Sequence, residues 1–146
     1  MKKFLLTLAI AASSLGVFAG ETSVSEKVLK AFQTEFTTAK EVTWTVGADY
    51  YMATFIYNEA YVNAFYSEDG SLMGLTRNIS PADLPVALQA SLKNEAGTAY
   101  WISGLSEVTK SDGTSYYVTL ENADTKVVLR AAGGYSWSHY SRAKKS

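Results

Sequence analysis

The sequence predicts an α+β protein: a tandem repeat of one helix followed by a four-stranded antiparallel sheet, with the helices on one face of the sheet. Two patterns carry this. An apolar stripe at helical spacing precedes a long stretch of period-two alternation, and the same order then returns. The composition agrees, since ten Tyr, six Phe and three Trp against two Pro suit a chain built largely of strands.

The first helix is expected between Ser23 and Ala39, where Val28, Leu29, Phe32 and Phe36 form one apolar stripe. Ser23 and Glu26 have the spacing of a capping box, which satisfies backbone N–H groups of the first turn. From Lys40 to Arg77 the period changes to two. Breaks at Gly47-Ala48-Asp49, Asn58-Glu59 and Asp69-Gly70 divide the stretch into strands at 41–46, 50–57, 60–67 and 71–77. Asp69-Gly70 is the strongest hairpin signal, because Gly accepts the positive φ of a tight turn.

Ser80-Pro81-Ala82-Asp83 predicts the opening of a second helix, with Ser as N-cap and Pro in the first helical position. Its apolar stripe is Leu84, Ala87, Leu88 and Leu92. Strands follow at 101–110, 114–122, 126–131 and 135–142, separated by Ser111-Asp112-Gly113, Ala123-Asp124 and Gly133-Gly134. Tyr51-Met52-Ala53-Thr54-Phe55 corresponds in type and place to Tyr116-Tyr117-Val118-Thr119-Leu120. Without a Pro-, Gly- or Ser-rich linker between Arg77 and Ser80, the two halves (about 23–79 and 80–142) are expected to share one domain, residues 20–146.

Lys2 and Lys3, the apolar run from Phe4 to Ala12 and the small-residue ending Val17-Phe18-Ala19 have the form of a secretory signal peptide, residues 1–19. Cleavage near Ala19 would release a periplasmic or secreted protein without a membrane anchor. Cys is absent, which export permits. Removing Lys2 and Lys3 from the 13 basic residues leaves 11 against 14 acidic ones, a formal charge of −3. No basic stripe marks a nucleic-acid partner, and the tail Arg142, Lys144, Lys145 reads as a solvated, frayed end.

Trp44, the strand Tyr51-x-Ala53-x-Phe55, the strand and turn Val62-x-Ala64-x-Tyr66-x-x-x-Gly70, and Leu84-Pro85 before the next helix resemble the exported beta-lactamase-inhibitor-like, PepSY-like proteins of Bacteroidetes-type bacteria. The resemblance covers nearly the whole chain after the signal peptide. It implies helices packed on one side of an antiparallel sheet whose opposite, concave side holds a partner. In the beta-lactamase inhibitor itself that side grips an enzyme, but a shared fold does not transfer a target.

Chemistry-bearing residues are sparse. His139 is the single histidine and decorates the last expected strand, so neither a multi-histidine metal site nor a Cys-His pair is available. Glu59, Glu68, Asp69, Asp112 and Asp124 fall in expected turns, where carboxylates bond local backbone. No cofactor, metal or catalytic residue is expected. If Tyr51, Ala53, Phe55, Val62, Ala64 and Tyr66, with Tyr116, Val118, Leu120, Val127 and Leu129, meet the helices, alternation turns Met52, Thr54, Tyr61, Asn63, Phe65, Tyr117, Thr119 and Arg130 to the open side. Trp44 and Trp101 read as core. Trp137 fits either side and joins the candidate partner-binding set. The expected function is a non-enzymatic binding protein, favoured as a monomer, that holds a protein, peptide or small ligand, with inhibition as one such role. The alternative is an envelope protein that self-associates through its aromatic face.

Overall fold

The computed structural model describes residues 24–146, so the expected signal peptide and Ser23 lie outside the described residues. Helix α1 spans Glu26–Glu35. Its N-cap is Ser25, whose side chain accepts the Val28 N–H at 3.4 Å, two residues beyond the expected cap. The helix also stops short of Ala39. Phe36 leaves helical dihedrals, and the β-branched pair Thr37-Thr38 that follows has little helical preference.

Three strands follow α1: β1 (Lys40–Val46), β2 (Tyr51–Tyr57) and β3 (Ala60–Tyr66). The β2–β3 hairpin closes on the Tyr57↔Ala60 pair. Asn58 and Glu59 between them both have positive φ, 49° and 65°, as a two-residue turn of type I′ requires. One face of these strands packs on α1 through Trp44, Ala53, Phe55, Ala64 and Tyr66, all buried. Rings dominate the contact. Phe32 meets Trp44 and Phe55 edge-on at 5.2 and 5.0 Å, and Phe36 approaches Phe55 at 4.9 Å. The buried Tyr66 hydroxyl donates to Glu35 Oε2 at 3.0 Å, tying the end of α1 to β3.

Strand β4 (Leu72–Asn78) leads into a 3-10 turn, Pro81–Asp83, and helix α2, Val86–Ala96. The helix expected to open at Ser80 is therefore interrupted. Asp83 accepts hydrogen bonds from the Ser80 N–H and hydroxyl, both at 2.8 Å, which closes the short turn. Leu84 is then extended (φ −71°, ψ 151°), because a residue before proline is sterically driven out of the helical region. Leu84, Leu88 and Leu92 are buried as expected, whereas Ala87 faces solvent. Helix α2 ends at Gly97, whose φ of 53° a side chain would strain.

The last strands are β5 (Trp101–Lys110), β6 (Gly113–Glu121), β7 (Thr125–Ala132) and β8 (Ser138–Lys144). Against α2 they bury Leu105, Val118, Leu120, Val127, Leu129 and Ala131. Strand β8 starts later than expected. Residues Gly133 to Trp137 pass along the helix instead: a Cβ on Gly134 would lie 3.3 Å from the Pro85 ring, and the Trp137 indole donates to Leu88 O at 3.2 Å. The tail is not frayed either, since Arg142 and Lys144 lie in β8 and the Lys145 N–H donates to Asp124 O at 2.8 Å.

All eight strands follow chain order in one antiparallel sheet, β1 through β8. This replaces the separate four-stranded sheets that the sequence pattern predicts. The reason lies in β4, whose Leu75 to Asn78 pair with Thr109 to Ser106 of β5 and so continue the ladder. By packing, the chain divides into two compact units after Leu72, which places β4 with α2 and β5–β8.

Candidate functional site

In the first unit the register places Met52 opposite Phe65, Thr54 opposite Asn63 and Ile56 opposite Tyr61, all on the face turned from α1. Thr43 and Thr45 of β1 extend these rows, opposite Thr54 and Met52. The five predicted residues of this unit, Met52, Thr54, Tyr61, Asn63 and Phe65, therefore share a face. They are not equally accessible. Tyr61 is 63% exposed, while the others are half-buried by their neighbours. The Thr54 hydroxyl bonds to Asn63 Oδ1 at 2.7 Å, and the Tyr50 ring lies 5.8 Å from that of Phe65. These rows consist of hydroxyl, amide, thioether and apolar side chains, with Lys40, opposite Ile56, at their margin. Ile56 belongs to the set by the same alternation that placed the rest.

In the second unit Tyr117 pairs with Ser106 on one side and Arg130 on the other, and Thr119 pairs with Val128, all turned from α2. The Arg130 guanidinium carbon lies 5.9 Å from the Tyr117 ring centroid, and its Nη2 donates to Ser115 Oγ at 3.2 Å. Tyr140 meets Tyr117 edge-on at 5.3 Å. Sequence reasoning missed Tyr140 because the irregular β7–β8 register between Val128 and Leu129 upsets simple alternation. At the far end of this face Trp101 is 52% exposed, which corrects its assignment to the core. It carries Lys145 Nζ 4.7 Å from its ring centroid, and Lys145 also pairs with Glu121 at 3.7 Å. Trp137 is corrected too. Its ring packs against the core under α2 and its indole N–H is taken by Leu88 O, so it does not belong to the open face.

Other candidates carry less. His139 is exposed on β8 opposite Leu129. Asp69 accepts hydrogen bonds from the Ser67 hydroxyl and the Ser71 N–H, and these hold its carboxyl below the usual range while fixing the turn before β4. Arg77 forms a forked pair with Glu107 at 2.8 and 3.3 Å. A depression of about 500 Å³ beside α2 is lined by Pro81, Gln89, Leu92, Lys93, Ala96 and Ile102. Its one amide nitrogen, Gln89 Nε2, already bonds the carbonyls of Ala82 and Leu84. Among the described residues no group of His, Asp and Glu is arranged to hold a metal ion, and no helix is long and apolar enough to cross a membrane.

Compared with solved structures, this architecture has clear counterparts. A BLIP-like protein from Bacteroides fragilis aligns with 87% of this chain and 92% of its own, at a TM-score of 0.76 and 16% identity. The fold is BLIP-like. A DUF2874 family protein from Bacteroides ovatus aligns over 86% of this chain and 89% of its own (TM-score 0.74, 16% identity). A candidate periplasmic protein from Bacteroides eggerthii does so over 84% and 90% (TM-score 0.74, 12% identity). No protein-family model matches the sequence, and no curated protein is significantly similar to it. The likeness expected from Trp44, the β2 and β3 patterns and Leu84-Pro85 thus holds at the level of fold. At such identities a BLIP-like fold sets where strands and helices lie and leaves the partner open.

Proposed function

We propose that this chain is an exported, non-enzymatic binding protein whose open strand faces engage a protein, peptide or small ligand. One observation carries the reading: the face of β2 and β3 turned from α1 gathers Met52, Ile56, Phe65 and the exposed Tyr61 around the short Thr54–Asn63 polar pair. Rigid aromatic and thioether side chains give large contact area at low entropic cost, and such residues are enriched where proteins bind. Export is supported by the signal-like segment at residues 1–19 and by the candidate periplasmic protein among the structural neighbours. Met52, Thr54, Tyr61, Asn63 and Phe65 form the contact set in the first unit, with Tyr117 and Arg130 in the second. The two α-β4 halves, residues 23–79 and 80–142, are read as successive versions of one binding scaffold.

The test is crosslinking capture from periplasmic extract with the parent and with Tyr61→Ala, Phe65→Ala and Tyr117→Ala. Each variant should keep the parent circular dichroism spectrum, and at least one should weaken capture by about 2 kcal/mol, the scale of a binding hot spot. Parent-like capture by all three overturns the assignment. Light scattering over a range of concentrations separates binding from self-association, which would give a mass rising with concentration.

A further inference from the structure

Arg130 differs from Arg77 and Lys145 of the second unit in what it touches. Arg77 is forked onto Glu107 and Lys145 is paired with Glu121, but Arg130 has no carboxylate partner among the described residues. Its neighbours are a hydroxyl, Ser115 Oγ, and the ring of Tyr117, itself braced by Tyr140. Its Nε is buried without a hydrogen-bond acceptor among the described residues. A half-buried guanidinium held by one neutral hydroxyl and an aromatic face is positioned by its surroundings yet not neutralised by them, and a buried N–H without an acceptor is unfavourable.

We infer that Arg130, with Ser115, Tyr117 and Tyr140, forms a subsite for a carboxylate group presented by a peptide; this rests on the binding role of the open face proposed above. The guanidinium is a planar fork that matches the two oxygens of a carboxylate. The ring contact and the Ser115 bond fix its plane, so the entropy lost on binding is reduced. One cation balances one negative charge, which favours a carboxylate over a phosphate carrying nearly two. The incoming carboxylate meets the guanidinium at its Nη nitrogens, the buried Nε being closed to it, and the Tyr117–Tyr140 pair provides an apolar wall for the adjoining residue.

The test is an NMR titration of the 15N-labelled protein at constant ionic strength, reading the Arg130 Nε–H and the backbone amides of Ser115 and Tyr117. Four probes are compared: N-acetyl-Glu-Tyr-amide, its neutral Gln counterpart, N-acetyl-Gln-Tyr with a free terminal carboxylate, and inorganic phosphate. Saturable shifts are expected with one or both carboxylate peptides, at affinity about tenfold or more above the neutral one. Which carboxylate peptide binds tells a side-chain acid from a chain terminus. Arg130→Met should abolish the preference, and Arg130→Lys, which keeps the charge but not the fork, should weaken it several-fold. Equal shifts with all probes, a preference for phosphate, or an unchanged preference in Arg130→Met overturns the subsite. Shifts confined to Met52, Asn63 and Phe65 would sink the carboxylate site alone, whereas silence on both open faces would sink the binding role as well.

Discussion

The first unit, α1 with β1–β3, and the second, β4 and α2 with β5–β8, each pack strands against a helix and fill their cores with different chemistry. Beneath α1 the core is a cluster of rings, Phe32, Phe36, Trp44, Phe55 and Tyr66, with Phe32 edge-on to Trp44 and Phe55 and the other pairs tilted. Beneath α2 it is aliphatic, with Leu84, Leu88 and Leu92 against Leu105, Val118, Leu120, Val127 and Leu129. The open faces differ as well. The first gathers apolar and neutral polar side chains, while the second carries Arg130 and the Lys145–Glu121 pair. Burial on one face of each strand is what the architecture demands. Ring geometry or branched aliphatics meet that demand equally well, and the opposite face is left free to vary.

The largest expected effects come from emptying either core. Phe55→Ala should cost about 3–5 kcal/mol and Leu88→Ala about 2–5 kcal/mol in denaturant melts, since both side chains are fully buried. Apolar replacements sharpen the contrast. Phe55→Leu loses the edge-on contacts with Phe32 and should cost at least about 1 kcal/mol, whereas Leu88→Met should cost under about 1.5 kcal/mol. Equal losses for these two would mean that ring geometry contributes little under α1.

Next in size is Tyr66→Phe, which removes the buried hydroxyl and its bond to Glu35 and should cost about 1 kcal/mol. Burial, with the neighbouring Glu35, pushes the Tyr66 phenol well above its ordinary range. Tyr66 thus stabilises the fold fully below the unfolded tyrosine pKa of about 10 and loses that contribution as pH rises beyond it, because the unfolded chain ionises first. Melts across pH 9–11 should show an alkaline decline in the parent that is shallower in Tyr66→Phe.

A smaller loss, about 0.5 kcal/mol, is expected for Lys145→Ala, which removes the ring contact with Trp101 and the exposed pair with Glu121. Indole fluorescence of Trp101 should change with it, and high salt should shrink the difference. The smallest effect should run the other way. Glu59→Gly relieves a positive φ of 65° in the β2–β3 turn and should stabilise by about 0.5 kcal/mol, the strain being partly offset by the greater freedom of glycine when unfolded. A loss of stability there would show that the Glu59 side chain makes a contact worth more than the strain.

Local signals determined much of this protein. Strand period, turn residues and the Leu84, Leu88, Leu92 stripe depend on neighbours in sequence, so β1 to β7 and the inward sets Ala53, Phe55, Val118, Leu120 and Leu129 were legible without a structure. The open-face grouping of Met52, Thr54, Tyr61, Asn63 and Phe65 followed from the same alternation. Tertiary structure decided the rest. The break between Ser80 and α2 follows from Leu84 lying extended before Pro85, and the joining of all strands into one sheet follows from β4 pairing onward to β5. Trp137 and Trp101 exchanged their expected places for a reason no local pattern records. An indole goes where its N–H finds a partner and its ring finds cover, which for Trp137 is the Leu88 carbonyl and the α2 core and for Trp101 is only the tail lysine. Arg130 was placed on the open face by alternation, but its lack of a carboxylate partner among the described residues is a property of distances across strands, which only the folded chain defines.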